Sequence, residues 1–240
     1  MNTSRNPVTH AESNAFSSNS SLNWLRASVL GANDGIVSVS SVVVGVAGAS
    51  DNKSFILTAG IAALVAGALS MAVGEYVSVS AQRDTERALI EKERLELATI
   101  PEQELEELTV IYEKKGLSRK TAEVVASELT SHDALTTHLR DELNIDPNNL
   151  TNPLHAAYAS GAAFFVGAII PILAIVLTPM SLSIVATFIS VVVALVITGT
   201  LSAYVGGANK WKATARVVVG GLIAMVVTFG IGKLFGVVGI

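Results

Sequence analysis

The sequence predicts an all-α membrane protein with five transmembrane helices and an acidic helical domain inserted between the second and third. Half of its 240 residues are hydrophobic and only 15% are charged, whereas an ordinary soluble domain carries about 25% charged residues. The charges are also unevenly placed: residues 81–152 hold 16 of the 20 acidic and 9 of the 16 basic side chains. The insert therefore has a formal charge of −7, and the flanking segments are apolar enough for a bilayer.

Four regions follow from this pattern. Residues 1–23 are rich in Ser and Asn and are predicted to be a disordered tail. Residues 24–80 are assigned to transmembrane helices 1 and 2, residues 81–152 to the acidic domain, and residues 153–240 to helices 3 to 5. The sequence contains no cysteine, so any metal must be held by oxygen, imidazole nitrogen or thioether sulfur.

A crossing of the bilayer needs about 20 apolar residues. The five predicted spans are roughly 27–49, 55–79, 156–177, 182–205 and 215–238. Trp24 and Arg26 precede the first span and suit a membrane interface, and Pro171 predicts a kink in the third. Gly60, Gly67 and Gly74 recur every seven residues in the second span, a spacing that lets helices approach closely within the chain or between subunits.

The basic residues predict the orientation. Lys210, Lys212 and Arg216 lie between or beside the fourth and fifth spans, whereas the connection before the fourth span, residues 178–181, has no charge. The positive-inside rule places the basic connection in the cytosol. The N-terminus and the acidic domain are then cytosolic and the C-terminus is outside, although Lys53 and Lys233 fall on the outer side.

Asp34 is the most informative residue of the first span, in the motif Gly-Ala-Asn-Asp-Gly at residues 31–35. An ionisable residue within a membrane span is costly and indicates a functional site. The alternative is that Asp34 caps a helix that begins outside the bilayer. A helix starting at Gly35 would have only about 15 apolar residues before Ser50, too few for a span, so we expect Asp34 to lie about 10–12 Å deep.

Met71 and Glu75 form a second candidate site in the second span. They are four residues apart and share a helix face, and Met71 is expected about 12 Å from the cytosolic end, close to the depth of Asp34. A carboxylate and a thioether at one depth suit a transition metal such as Fe²⁺. The alternatives are that Met71 only fills the core and that Glu75 lies at the interface.

The acidic domain is predicted to be helical throughout. The second span continues to about residue 98, and Pro101 ends that helix, with Thr99 and Glu102 resembling a capping box. Further helices are expected to run to about Lys115, closed by Gly116, then from Ser118 to about residue 129, and from Ser131 or Asp133 to about residue 143.

Two glutamate pairs in this domain, Glu93 with Glu96 and Glu104 with Glu107, each lie three residues apart on one helical face. The bend at Pro101 would let the pairs fold toward each other. His138 and Glu142 share a face of the last helix. Such carboxylates repel unless a cation neutralises them. The alternative is an ordinary solvated face on which Lys92, Arg94 and Lys115 neutralise the glutamates.

Two strings resemble the vacuolar iron transporter family, and the similarity covers nearly the whole chain beyond residue 22. The first is WLR at residues 24–26 with GANDGIVS at residues 31–38. The second is SMAVGEYVS at residues 70–78, followed by QRD at residues 82–84. The resemblance implies a homodimer with five helices per subunit that exports Fe²⁺, and often Mn²⁺, from the cytosol by proton exchange. The pathway would run between the first helices of the two subunits.

Carried onto this sequence, the resemblance makes Asp34 and Met71 intramembrane metal ligands, with Glu75 beside them. It makes Glu93, Glu96, Glu104, Glu107 and Glu142 ligands of the cytosolic domain. His138 falls where eukaryotic relatives have methionine, so its role as a ligand is open, although imidazole also suits Fe²⁺ and Zn²⁺. Zn²⁺ and Co²⁺ fit the same ligands as Fe²⁺ and Mn²⁺.

Lipid, protons and divalent cations are the expected partners; no prosthetic group, nucleic acid or enzymatic activity is expected. The short chain favours a prokaryotic plasma membrane over a vacuolar one. Two rival hypotheses remain. A membrane metal buffer or sensor would bind metal without flux and would not need Asp34. A passive channel would conduct without dependence on a proton gradient.

Overall fold

The computed structural model describes the backbone of residues 11–238 and the side chains of residues 27–236 apart from residue 205. All regular secondary structure within these residues is α-helical. The helices are α1 (Ala11–Ala49), α2 (Lys53–Thr99), α3 (Pro101–Lys114), α4 (Arg119–Asp141), α5 (Pro153–Leu177), α6 (Met180–Val205) and α7 (Lys210–Val238).

Five of these helices are long and apolar enough to cross a membrane. The candidate spans are Ala27–Ala49 of α1, the helix α2, Pro153–Leu177, Met180–Tyr204 and Lys210–Gly236. The predicted all-α class and the number of spans are thereby confirmed for the described residues. The third span contains Pro171 inside its helix.

The N-terminal boundary differs from the prediction. Helix α1 already begins at Ala11, within the segment expected to be disordered, and residues 1–10 of that segment lie outside the described residues. Ser and Asn are weak helix formers, but extending an existing helix costs far less than nucleating one. The apolar span that follows provides the existing helix.

The chain forms two compact units, one made of the described residues up to Tyr76 and from Leu154 onward, the other of Val77–Pro153. In the first unit, α1 is buried on two sides. On one side Val39, Val43 and Ala47 share an apolar cluster with residues of α2 and α5. On another side Ile36 and Val44 pack with residues of α6 and α7. Helix α1 is therefore central to this first unit, which we call the membrane unit because it holds most of the candidate spans.

Helices α1 and α5 touch through their backbones. A Cβ atom added at Gly35 would lie 2.1 Å from the carbonyl oxygen of Phe164, and one at Gly167 would lie 2.2 Å from that of Ala32. Three glycines recur every seven residues in α2. A Cβ atom added at Gly60 would meet Val43 and one at Gly67 would meet the Phe164 ring, whereas one at Gly74 would meet nothing described within 4 Å. Two of the three glycines thus serve packing within the chain.

We expect Gly35→Ala to destabilise the membrane unit strongly, because the new methyl group meets backbone that cannot move without separating two helices. Overpacking of this kind costs about 1–3 kcal/mol or more. Thermal unfolding of the purified protein in detergent should show it. Gly220→Ala is the matched control, since a Cβ there meets nothing within 4 Å; equal melting temperatures of the two variants would contradict the close approach.

Lys53, which the orientation rule left on the outer side, has a structural role. Its Nζ donates to the carbonyl oxygens of Val176 and Thr178, at 3.1 Å and 3.0 Å. These carbonyls end α5, where a cation satisfies orphan acceptors and complements the helix dipole. A lysine with this role says little about membrane orientation.

The second unit contains the end of α2 together with α3 and α4. Helix α3 ends in a turn closed by Gly116 at φ 103°, and Ser118 caps α4 by accepting from the Thr121 amide at 3.4 Å. Asp133 interrupts α4 with non-helical dihedrals and accepts from the Thr136 amide at 3.1 Å. Asp133, rather than Ser131, therefore caps the last helical segment.

The predicted capping box is wrong. Ile100, not Thr99, is the N-cap residue of α3, and it makes no side-chain cap. The Thr99 hydroxyl donates instead to the Leu95 carbonyl at 2.8 Å, because α2 continues through Thr99. Pro101 at the first position of α3 has no amide hydrogen that needs a cap.

Candidate metal sites

Three helices bring together, in the second unit, four side chains of the types that ligate metals. Glu93 comes from α2, Glu104 from α3, and His138 with Glu142 from the end of α4. Leu108 and Tyr112 of α3 pack against Ala122 and Ala126 of α4 and fix the pairing of these two helices. We call the four residues the acidic cluster.

The imidazole of His138 lies at the middle of the acidic cluster. Its Nδ1 is 3.2 Å from Glu93 Oε1, 3.3 Å from Glu142 Oε2 and 3.7 Å from Glu104 Oε2. One ligand atom from each of the four residues lies within 4.8 Å of all the others. Two ligands on one transition-metal ion are at most about 4.4 Å apart, twice a bond of about 2.2 Å. A contraction of a few tenths of an ångström would therefore seat one ion.

The acidic cluster is buried and rich in acceptors. His138 and Glu93 expose 0% and 3% of their side chains, and Glu142 exposes 23%. Among the described residues, Glu93 Oε1 and His138 Nε2 are buried without a hydrogen-bond partner, since the contact between Glu93 and His138 lacks hydrogen-bonding geometry. Three carboxylates and one imidazole lack a matching number of donors, and a cation is the species that satisfies such a set.

The raised pKa values of two glutamates indicate the same deficit of positive charge in the acidic cluster. Burial, followed by repulsion from Glu142, Glu104 and Glu96, raises the pKa of Glu93 to about 7. Burial and repulsion from Glu107 raise the pKa of Glu104, partly offset by His138. A cation that binds here must therefore displace the proton that Glu93 holds below about pH 7.

The other two predicted ligands lie outside the four-residue cluster. Glu96 forms an ion pair with Lys92 at 2.8 Å, and Glu107 is exposed. Both remain near enough to repel Glu93 or Glu104. Glu96 and Glu107 would thus make the potential at the acidic cluster more negative without contacting the metal ion directly.

A polar network joins α3 to the end of α4 beside the acidic cluster. The Tyr112 hydroxyl donates to Asp141 Oδ2 at 2.6 Å, and Lys115 pairs with the other oxygen of Asp141. Burial, together with this hydrogen bond, raises the pKa of Tyr112. The network holds Asp141, and with it the adjacent Glu142, against α3. Sequence spacing alone did not reveal it, because Tyr112 and Asp141 are 29 residues apart.

The candidate site in the membrane unit centres on Asp34, which is partly buried on α1. The Ser38 hydroxyl, one helical turn along, donates to Asp34 Oδ1 at 2.6 Å. The neighbouring Asn33 accepts a short hydrogen bond from Thr198 of α6. The hydrogen bond between Asn33 and Thr198 therefore ties α1 to α6 beside Asp34. Ser38 was not among the predicted site residues, although its spacing of four residues from Asp34 was a signal.

Met71 and Glu75 are both partly buried on α2. Met71 packs against the apolar cluster that contains Val39, Val43 and Phe164. The described contacts of Asp34 include neither residue. The proposed pairing of Asp34 with Met71 therefore stays a prediction about the assembled pathway.

We expect the metal affinity of the acidic cluster to increase with pH between about 5 and 7 and to level off above about 8. Below pH 7 the Glu93 carboxyl, with its pKa of about 7, keeps a proton that a cation must displace. Displacement of one proton changes the apparent affinity by about tenfold per pH unit. Calorimetric titration with Mn²⁺ at several pH values measures this; an affinity independent of pH from 5 to 8 would contradict it.

The chain is similar in sequence to the VIT family and to proteins named as vacuolar iron transporters. A family model described as the VIT family matches residues 25–233. A vacuolar iron transporter of Acanthamoeba castellanii is 44% identical over 212 residues, covering 88% of this chain and 78% of the relative. Vacuolar iron transporter homolog 2 of Arabidopsis thaliana is 35% identical over 230 residues, 95% of this chain and 93% of the relative.

Proposed function

Since this chain belongs to the VIT family, we propose that it is a multi-pass membrane transporter that exports Fe²⁺, and also Mn²⁺, from the cytosol by exchange with protons. The acidic cluster is the observation that carries the proposal, because it joins four buried ligand groups with a deficit of positive charge. The relatives named as iron transporters support the same cargo.

In this proposal the second unit captures cations on the cytosolic side. Its negative charge raises the local concentration of divalent cations, and the acidic cluster binds them. Oxygen and imidazole ligands accept Fe²⁺, Mn²⁺, Co²⁺ and Zn²⁺, so cellular availability selects among them. Glu96 and Glu107 extend the negative surface around the cluster.

The membrane unit then provides the crossing. Asp34 is the intramembrane ligand, and Met71 adds a thioether from α2, with Glu75 nearer the cytosolic end of the span. We propose that two subunits place their α1 helices side by side, so that both Asp34 carboxylates face one pathway. Such carboxyl groups release protons when a cation binds and take them up when it leaves, which couples the two fluxes.

Flux into proteoliposomes, with and without a pH gradient, tests this function. For protein oriented with the second unit outside, an acidic lumen should accelerate Mn²⁺ and Fe²⁺ uptake, and uptake should alkalinise the lumen. Uptake that ignores the gradient would identify a passive channel instead. Binding without uptake would identify a metal buffer or sensor.

A further inference from the structure

Helices α5 and α6 leave a groove on the surface of the membrane unit. Its volume is about 370 Å³, within the range of sites that hold small molecules. The groove is lined by one residue of α5, Ile170, and five of α6, namely Ser190, Val193, Ala194, Ile197 and Thr198. Val193 and Ile197 are each 53% exposed, so the groove opens away from the helix bundle. We call it the α5–α6 groove.

The two hydroxyl groups of the groove are already bonded within the protein. Ser190 donates to the carbonyl oxygen of Thr187 at 3.0 Å, and Thr198 donates to the side chain of Asn33 on α1. The other lining residues are apolar. The groove therefore suits a hydrocarbon chain better than an ion or a polar solute, which would lose its hydration without gaining a donor.

The exposed face of α6 continues from the groove to the end of the helix. Leu201 and Tyr204 are both exposed and lie within about 40° of Ile197 around the helix. Ser190 and Tyr204 are about 21 Å apart along the axis. One leaflet of a bilayer, with its headgroups, is about 20–22 Å thick. A phospholipid lying along this face would therefore place an acyl chain in the groove and its headgroup beside Tyr204.

A cation lies at the headgroup end of this face. Lys210, the first residue of α7, has its Nζ 4.8 Å from the centroid of the Tyr204 ring. The ring covers one side of the ammonium, which has three donors. Lys212 and Arg216 add positive charge to the same end of α7. Residues 147–240 contain four basic residues and no acidic one, so helices α5 to α7 provide no carboxylate to neutralise them.

We propose that the α5–α6 groove and Lys210 form a binding site for an anionic phospholipid, with one acyl chain in the groove and the phosphate on the Lys210 ammonium. A zwitterionic lipid carries its own cation beside the phosphate and gains less from a lysine. The positive-inside rule assigns this end of α7 to the cytosolic side, and the cytosolic leaflet is the one that carries anionic lipid. The bound lipid would contact Thr198, the residue that ties α6 to α1 beside Asp34.

The test is thermal unfolding of the full-length protein in detergent, titrated with phosphatidylglycerol or with phosphatidylcholine of the same acyl chains. The lipid concentration that gives half of the increase in melting temperature should be lower for phosphatidylglycerol. Lys210→Gln should raise that concentration about fivefold, the effect of removing one basic residue beside an anionic lipid. Lys233→Gln is the matched control, because Lys233 also lies over an aromatic ring, that of Phe229 at 5.7 Å, but at the opposite end of α7.

A second pair of variants tests the groove itself. Val193→Trp adds a large side chain at the groove wall and should weaken the binding of both lipids, because it competes with the acyl chain while Lys210 keeps the preference for phosphatidylglycerol. Val185→Trp is its control, since Val185 is similarly exposed on α6 but does not line the groove. It should bind both lipids like the wild type.

Three results would overturn the site. These are equal wild-type affinity for the two lipids, equal losses in Lys210→Gln and Lys233→Gln, and unchanged phosphatidylglycerol binding in Val193→Trp. Inorganic phosphate alone should not stabilise the protein; stabilisation equal to that by phosphatidylglycerol would identify a phosphate site and contradict a lipid one. None of these measurements involves metal flux, so this inference and the proposed transport function can fail independently.

Discussion

Asp34→Ala is expected to abolish metal flux while the protein stays folded. The substitution removes the only carboxylate of the first span, and with it the group that can neutralise a divalent cation at that depth. Loss of a group that only supports a metal ligand lowers metal affinity or activity about 10–100-fold. Loss of the ligand itself should therefore reduce the uptake rate at least that much. Initial rates of Mn²⁺ uptake into proteoliposomes measure the effect.

The controls for Asp34→Ala are binding and stability. Calorimetric titration of the same preparation should still show wild-type affinity at the acidic cluster, since Asp34 belongs to the other unit. Its melting temperature in detergent should not fall, because alanine favours the helix and a partly buried carboxylate is gone. Wild-type uptake by Asp34→Ala would show that cations cross by another route.

Glu93→Gln is expected to weaken metal binding at the acidic cluster by about 100-fold or more while stabilising the metal-free unit. Glutamine keeps the shape but removes one of three negative ligands, and metal affinity falls steeply when a ligand or its orientation is lost. Because burial and repulsion raise the Glu93 pKa to about 7, ionising this residue costs folding free energy as the pH rises from about 5 through 7. At pH 8 the variant avoids that cost.

Two measurements check this pair of effects. Calorimetry with Mn²⁺ gives the affinity, and thermal unfolding in a chelator at pH 4 and pH 8 gives the stability, which should exceed that of wild type clearly at pH 8 and little or not at all at pH 4. Glu91→Gln is the matched control on the same helix, since Glu91 is exposed and pairs with Arg94. Equal affinity for Glu93→Gln and wild type would exclude Glu93 as a ligand.

The membrane spans were predictable because bilayer thickness imposes one simple requirement on length and polarity. Asp34 was conspicuous for the same reason, being a charge where charge is expensive. Local signals also worked where one side chain decides the backbone, as at Gly116 and Asp133. They failed at Thr99, where Pro101 made a capping side chain unnecessary.

The acidic cluster could be predicted only in part. Spacings of three or four residues show which groups share a face of one helix, and this identified Glu93, Glu104, His138 and Glu142 as candidates. These spacings do not show which glutamate of each pair points inward, because residues three apart diverge by about 60° around the helix. Only the folded arrangement of α2, α3 and α4 shows that Glu93 and Glu104 reach His138, while Glu96 turns to Lys92.

The same limit explains why Ser38 was missed. Serine is common in membrane helices, and its hydroxyl is usually satisfied by the helix backbone. The spacing of four residues places Ser38 and Asp34 on one face, but only the atomic positions show that the hydroxyl bonds to the carboxylate.

The central claim is that this protein moves divalent metal across a membrane through Asp34. It is tested most directly by Fe²⁺ uptake under reducing conditions into liposomes that contain equal amounts of wild-type or Asp34→Ala protein, with empty liposomes as the baseline. We predict uptake well above the baseline for wild type and uptake at the baseline for Asp34→Ala. Wild-type uptake no greater than that of empty liposomes, with Fe²⁺ still bound to the protein, would contradict the account.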